Sequence, residues 1–328
     1  MTPSLSLLRR AVPAFLALLL TALPRPASAQ AIATYALPNA ASAPKGIAPG
    51  PDGALWFAEL YGNNIGRIST SGAISEFPVP TADAYPYFLA AGPDGALWFT
   101  ELRGNNIGRI ARDGSITEYP LPTAPAYPYG IALGPDGGLW FTEMYGNNIG
   151  RIGADGTITE YAVPTANALP GAIALGPDGA LWFTEIAAGQ IGRSDTSGNI
   201  VEFPVPTAGS QPSSIVAGPD GALWFTEWAA GRIGRMGTDG TAVEYPLSSA
   251  PADPAGIALG PDGRLWFTEG PLSGRIGAIS TTGKVQEYAV PAAGLFPSYP
   301  AWMAVGPDQA LWFTLEDGRV ARMPASGN

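Results

Sequence analysis

The sequence predicts an all-β chain, a seven-bladed β-propeller of four-stranded antiparallel blades, and three observations carry that prediction. A unit of 42 residues recurs: Gly-Pro-Asp-Gly-x-Leu-Trp-Phe starts at Gly50, Gly92, Gly134, Gly176, Gly218 and Gly260, and a seventh copy, with Gln309 for the second glycine, starts at Gly306. That period is the length of a propeller blade. The 43 glycines and 34 prolines among 328 residues recur throughout, and each costs a helix interior roughly 1 and 3 kcal/mol respectively, which excludes a mostly helical fold. Finally, the two ends of the chain complement each other, as a closed ring requires. Disorder is excluded by composition, since 46% of residues are hydrophobic, 13% are charged and nine are tryptophan.

Residues 1–29 read as a secretory signal, with Arg9 and Arg10 as a basic start, Ala11 to Leu23 as a short apolar core, and Ala27-Ser28-Ala29 as a cleavage site before Gln30. The apolar stretch is too short to span a bilayer comfortably and no other follows. Its surroundings match a twin-arginine signal poorly, so the general secretory route is expected. Residues 30–328 are then one exported propeller domain, secreted or periplasmic and expected to be a monomer. Loss of the signal removes Arg9, Arg10 and Arg25, leaving 14 basic against 27 acidic residues. Such a surface disfavours nucleic acid and membrane insertion and is compatible with a bound cation.

Within a unit, the third copy shows the logic. Gly130 to Leu133 is a short strand, Gly134-Pro135-Asp136-Gly137 a tight turn, Leu139 to Glu143 a second strand apolar on both faces, Ile149 to Ile152 a third and Thr157 to Tyr161 a fourth. Gly and Asn stand at the reversals because they tolerate positive φ. An apolar strand with no polar face suits a blade packed between two neighbours. The seventh unit ends after its third strand, at Arg322-Met323, while Ile32 to Pro38 aligns with Ile116 to Pro122, a fourth strand. The amino-terminal run is therefore expected to complete the last blade and close the ring.

Missing residue types narrow the chemistry. With no cysteine and no histidine, thiolate and imidazole catalysis and the metal sites built on them are excluded. The functional face is expected on the rim whose loops vary between copies. Eleven residues before each blade tryptophan lies the mouth of the channel, occupied in order by Lys45, Tyr87, Tyr129, Gly171, Ser213, Ala255 and Ala301. Tyr61, Tyr85, Tyr127, Tyr145, Trp228, Phe296, Tyr299 and Trp302 surround it. Such a concavity suits a small organic, cyclic peptide or sugar ligand, with Tyr87, Tyr129, Trp228, Tyr299 and Trp302 as the binding residues, unless the rings merely fill the mouth. The repeated Glu59, Glu101, Glu143, Glu185, Glu227 and Glu269 are expected to be structural, through a hydrogen bond or an ion pair with the arginines of Ile-Gly-Arg. In the seventh unit the carboxylate is displaced by one residue, to Glu316, which beside Asp317 is a candidate Mg²⁺ or Ca²⁺ ligand or else a solvated loop end.

The blade signature Tyr-Gly-Ile-x-x-Gly-Pro-Asp-Gly-x-Leu-Trp-Phe-Thr-Glu, with Gly-Asn-Asn-Ile-Gly-Arg-Ile and Gly-x-Ile-Thr-Glu-Tyr-Pro-x-Pro-Thr, resembles that of the streptogramin B lyases, also called virginiamycin B lyases, over the whole mature chain. The resemblance implies a seven-bladed propeller and a Mg²⁺-dependent elimination that opens cyclic depsipeptide antibiotics at their ester, with a histidine as general base and the metal as Lewis acid. Carried over by position, the family's Glu-Pro-His-Gly-Ile stretch falls on Tyr299-Pro300-Ala301-Trp302-Met303, so Tyr299 replaces a metal-binding glutamate and Ala301 the base. Ala255 replaces a substrate-contacting histidine, and Glu316 alone matches, as the last metal ligand. The leading expectation is an exported lyase-like propeller that binds its ligand without the family's chemistry. Two alternatives stay open: a lyase with a rebuilt site, using Lys45 as base and Glu316 to hold Mg²⁺, and a protein-interaction scaffold.

Overall fold

In a computed structural model, which describes residues 31–248, 252–270, 273–292 and 298–325, the repeat is resolved into seven four-stranded antiparallel sheets with no helix among the described residues. The proposed signal segment lies outside the described residues. Each sheet is a meander in chain order. Blade 3 runs Pro128–Leu133, Leu139–Glu143, Asn148–Ile152 and Ile158–Ala162. The seven first strands stand side by side around the axis, and the ring closes where Pro44–Pro49 of blade 1 meets Pro300–Val305 of blade 7.

Closure follows the expectation from the chain ends. Ala33–Ala36 pairs with Arg319–Pro324 as the outer strand of blade 7, with Thr34 opposite Ala321 and Tyr35 opposite Val320. Tyr35 then stacks on Trp312 with ring centroids 5.7 Å apart, as Tyr161 does on Trp140 at 5.6 Å within blade 3. The last blade thus has the cross-sheet aromatic pair of a continuous one, although its strands come from opposite ends of the chain.

Apolar second strands put the core between blades. Trp140, Ile149 and Val163 of blade 3 pack with Ile173, Leu181 and Phe183 of blade 4 in one buried cluster. The third-strand glycine of Ile-Gly-Arg permits this packing, because a Cβ on Gly150 would lie 2.1 Å from two carbons of the Phe141 ring. Alternation explains the rest: Trp140 and Thr142 point to one face and Phe141 to the other, so both faces carry bulk.

Two polar devices recur around the ring, the first in every blade and the second in blades 2 to 5. In the Gly-Pro-Asp-Gly turn, Asp136 Oδ1 accepts from Trp140 Nε1 at 3.0 Å and Oδ2 accepts from Arg151 Nε at 2.5 Å. Burial alone would raise the Asp136 pKa, but the bonds from Trp140, Arg151 and the Gly138 amide outweigh it and hold the carboxyl below its ordinary range. Blade 6 has Ala278 where the others carry that arginine, and Arg264 inside the turn supplies the guanidinium to Asp262 instead, at 2.8 Å. The second device joins blades: Glu160 on the outer strand of blade 3 accepts from the Thr123 amide at 3.1 Å and the Thr123 hydroxyl at 2.8 Å, in the loop leaving blade 2.

These pairings correct one sequence expectation. The Ile-Gly-Arg arginines bind the turn aspartates, not the second-strand glutamates. Arg151 lies opposite Trp140, three residues along the strand from Glu143, a separation of about 10 Å that puts them at opposite ends of the blade. The hydrogen-bond half of the expectation holds in blades 1 to 3, where Glu59 accepts from Asn64 Nδ2 at 3.3 Å and Glu101 and Glu143 accept from Asn106 Nδ2 and Asn148 Nδ2 at 2.8 Å. In blades 4 and 5 Gln190 and Arg232 stand in place of that asparagine and the bond is not made.

Candidate functional site

Every inner strand enters the channel through the same irregularity. In blade 2, Pro86 pairs with Glu101 and the next regular pair is Leu89 with Phe99, so Tyr87 and Phe88 form a bulge. A bulge re-aims side chains, here turning the channel-mouth residue toward the axis. The threonine of Trp-Phe-Thr-Glu holds this shape: Thr100 Oγ1 accepts from the Phe88 amide at 3.1 Å and donates to the Tyr129 carbonyl of blade 3 at 2.8 Å. Thr142, Thr226, Thr268 and Thr314 repeat the bridge to Gly171, Ala255, Ala301 and Lys45. The mouth ring is therefore positioned by strand-to-strand hydrogen bonds, while its side chains are free to differ.

Around that ring the side chains are unequal. Tyr87 and Tyr129 stand against each other with centroids 4.6 Å apart, and the Tyr129 hydroxyl donates to the Tyr87 hydroxyl at 3.2 Å. Burial first, and then the adjoining Tyr87 phenol, push the Tyr129 pKa well above its ordinary value. Phe88 packs edge-on against Trp302 at 4.4 Å, and these four rings cross the channel as a plug. Gly171, Ser213, Ala255 and Ala301 leave the other half of the ring open.

The opening is a cavity of about 220 Å³ lined by Tyr87, Tyr129, Trp228, Tyr299, Trp302 and Glu316, with Ser213, Ala255, Gly270, Pro300 and Ala301 completing the wall. All five aromatic residues expected to bind ligand converge there, as do the four positions at which the family's functional residues were sought. Other expectations lie elsewhere. Tyr61 pairs with Tyr85 and Tyr127 with Tyr145 on the rim outside the cavity, at centroid distances of 5.6 and 4.5 Å, and Arg103 covers Tyr85. Phe296 lies outside the described residues. Sequence reasoning missed Phe88 and Gly270: the first is a repeat position filled by glycine, alanine or serine in five other blades, and its bulk there was the available signal.

Lys45 and Glu316 meet across the seam between blades 1 and 7. The ammonium donates to Glu316 Oε1, with the lysine side chain 12% and the glutamate 43% exposed. Glu316 follows its strand, Ala310–Leu315, and its amide is tied to the Tyr299 carbonyl at 3.0 Å. Asp317 does not join it, because both of its oxygens engage the Arg319 guanidinium. The residues present do not fit the Mg²⁺ that the family resemblance implies. Glu316 carries a lysine, its neighbour carries an arginine, Tyr299 offers a phenol where a carboxylate is needed, and no three His, Cys, Asp or Glu side chains converge among the described residues.

Away from the cavity, the buried carboxyls of the second strands form pairs. Burial pushes the Glu101 pKa up to about 8, against the pull of the Asn106 hydrogen bond and with a further push from Glu118. Glu143 behaves alike beside Asn148 and Glu160, Glu185 rises to about 8 through burial and Glu202 with no opposing hydrogen bond, and Glu59 rises to about 7. These groups brace the blades and do not line the cavity.

The likeness to known proteins covers the propeller. The virginiamycin B lyase family profile matches residues 21–249 and 172–328. A virginiamycin B lyase from Staphylococcus aureus is 39% identical, with 90% of this chain and 99% of that one covered at a TM-score of 0.85. A streptogramin B lyase structure gives 39% identity, coverage of 89% and 96%, and a TM-score of 0.85. A catalytically inactive histidine-to-alanine variant of the S. aureus enzyme with quinupristin gives 38% identity, coverage of 90% and 99%, and the same TM-score of 0.85. No curated protein matches the sequence. On the family profile and on these structures, the chain belongs to the virginiamycin B lyase family.

Proposed function

We propose that this protein is a ligand-binding member of its family that receives a streptogramin B-type cyclic depsipeptide, or a peptide-like relative of it, in the mouth cavity and releases it unchanged. The observation that carries the reading is the content of that cavity: five aromatic side chains, alanines at positions 255 and 301, and a single carboxylate, Glu316, held by Lys45. The S. aureus variant with quinupristin lost its activity through one histidine-to-alanine change, and this chain has no histidine at all. The rebuilt-lyase reading is disfavoured because Lys45 and Glu316 neutralise one another. Export through residues 1–29 belongs to the same proposal, and a mature amino terminus at Gln30, read by mass spectrometry of secreted protein, supports it.

Titration of the purified mature protein with quinupristin, followed by tryptophan fluorescence, tests the binding. Saturable quenching that is lost in the Trp228→Ala variant is the expected result, since Trp228 is 43% exposed and can be truncated without opening the core. Equal quenching by wild type and by that variant would remove the cavity as the binding site.

A further inference from the structure

Resting on that reading of the mouth as a ligand site, we infer that Trp302, braced by Phe88, determines how deep a ligand enters: the two rings form a floor that keeps it out of a second, apolar chamber of the same channel. That chamber is a separate cavity of about 140 Å³. Ile47, Ile131, Ile173, Ile215, Ile257 and Met303 line it, each two residues further along its inner strand than the mouth position, so it lies one step down the axis. Ser214 is the one polar side chain of its wall, and that hydroxyl accepts from the Ile257 amide at 3.3 Å. Trp302 is the residue common to the linings of both cavities, and its ring meets edge-on, at 4.4 Å, the ring of Phe88, which lines the lower one alone. The repeat shows that the fold does not require this floor. Where blades 2 and 7 carry Phe88 and Trp302, the others carry Gly46, Gly130, Ala172, Ser214 and Gly256, on inner strands that share the same bulge. Gly46, in the blade between the two rings, leaves them room to meet, since a Cβ there would lie 2.9 Å from Phe88 Cδ1. A floor acts on ligand shape. Apolar surface entering the mouth gains affinity as it leaves water, and that gain stops where the group touches Trp302. The site therefore takes a compact group of an uncharged ligand and refuses a long apolar chain.

Calorimetric titration of para-alkylphenols of increasing chain length, from phenol to para-pentylphenol, into the mature protein and its Trp302→Ala variant reads the floor directly. In wild type the affinity is expected to level off within the series, where the chain reaches Trp302. In Trp302→Ala it is expected to keep rising, by up to about fourfold per methylene as the chain enters the lower chamber. Trp302→Leu keeps an apolar neighbour for Phe88 and is expected to level off between the two, which preserves the test if the alanine variant folds poorly. The same chain-length dependence in wild type and variants, or no binding of any alkylphenol to the variants, overturns the inference. Quinupristin titration of the wild type keeps the outcomes apart. Retained quinupristin binding without a difference between wild type and variants leaves the mouth as a ligand site and removes only its floor, whereas a clear difference without quinupristin binding keeps the floor and removes the proposed ligand.

Discussion

Among single residues, the carboxyls divide into two populations with opposite pH behaviour. The turn aspartates, typified by Asp94 and Asp136, are held below their ordinary pKa and stabilise the fold while ionised, so that contribution is lost as pH falls through their lowered folded values. The second-strand glutamates are raised to about 8 at Glu101, Glu143 and Glu185. Their contribution is complete below the ordinary glutamate value and is lost as pH rises through about 8. Replacing Glu101 by Gln keeps the hydrogen-bonding shape and removes the titration. Its melting temperature is expected to fall less than that of wild type between pH 6 and 9, measured by differential scanning calorimetry; parallel curves would show that Glu101 is already ionised in the fold. Asp94→Ala is expected to destabilise by about 2 kcal/mol in urea, because it strands the Trp98 indole and the Arg109 guanidinium together.

For the elements, the bulge at the channel mouth matters most, since it separates the job of holding the site from the job of recognising ligand. Thr142 both accepts from the Gly130 amide at 2.8 Å and donates to the Gly171 carbonyl of the next blade. Thr142→Val keeps the volume and leaves that buried amide without its acceptor, so a loss of about 1–3 kcal/mol in urea denaturation is expected; an unchanged midpoint would show that the bulge is held by its pairing alone. Blade 1 lacks this bridge because Ala58 stands at the threonine position. Legibility in the sequence follows the same division. The strands, the turns, the amino-terminal outer strand and the convergence of Tyr87, Tyr129, Trp228, Tyr299 and Trp302 could be read from period and alternation, because a repeat fixes which residue faces the axis. The partners of the repeated charges could not. Each blade offers several carboxylates to one arginine, and only the register, which sets Arg151 against Trp140, tells which one it meets. The Lys45–Glu316 pair escaped for another reason, as it joins residues from opposite ends of the chain at the closing seam.

The whole molecule depends on that closure, and the two carboxyl populations act on it together. Stability is expected to peak on the acidic side of neutrality, between the range where the turn aspartates protonate and the range where the glutamates ionise. Deleting residues 31–38 would expose the Arg319–Pro324 edge and remove the Tyr35 ring from Trp312. An exposed edge recruits other chains, so size-exclusion chromatography is expected to show aggregates; a well-folded monomer would mean that the ring holds without its outer strand. The closed ring also brings side chains from different blades to face one another across a common space at the mouth. The proposed function is binding in this space without elimination. The most direct measurement is incubation of the mature protein with a type B streptogramin, with and without Mg²⁺, followed by liquid chromatography and mass spectrometry. An antibiotic unchanged in retention and mass under both conditions is the expected result, and a new peak of identical mass would contradict the proposed function.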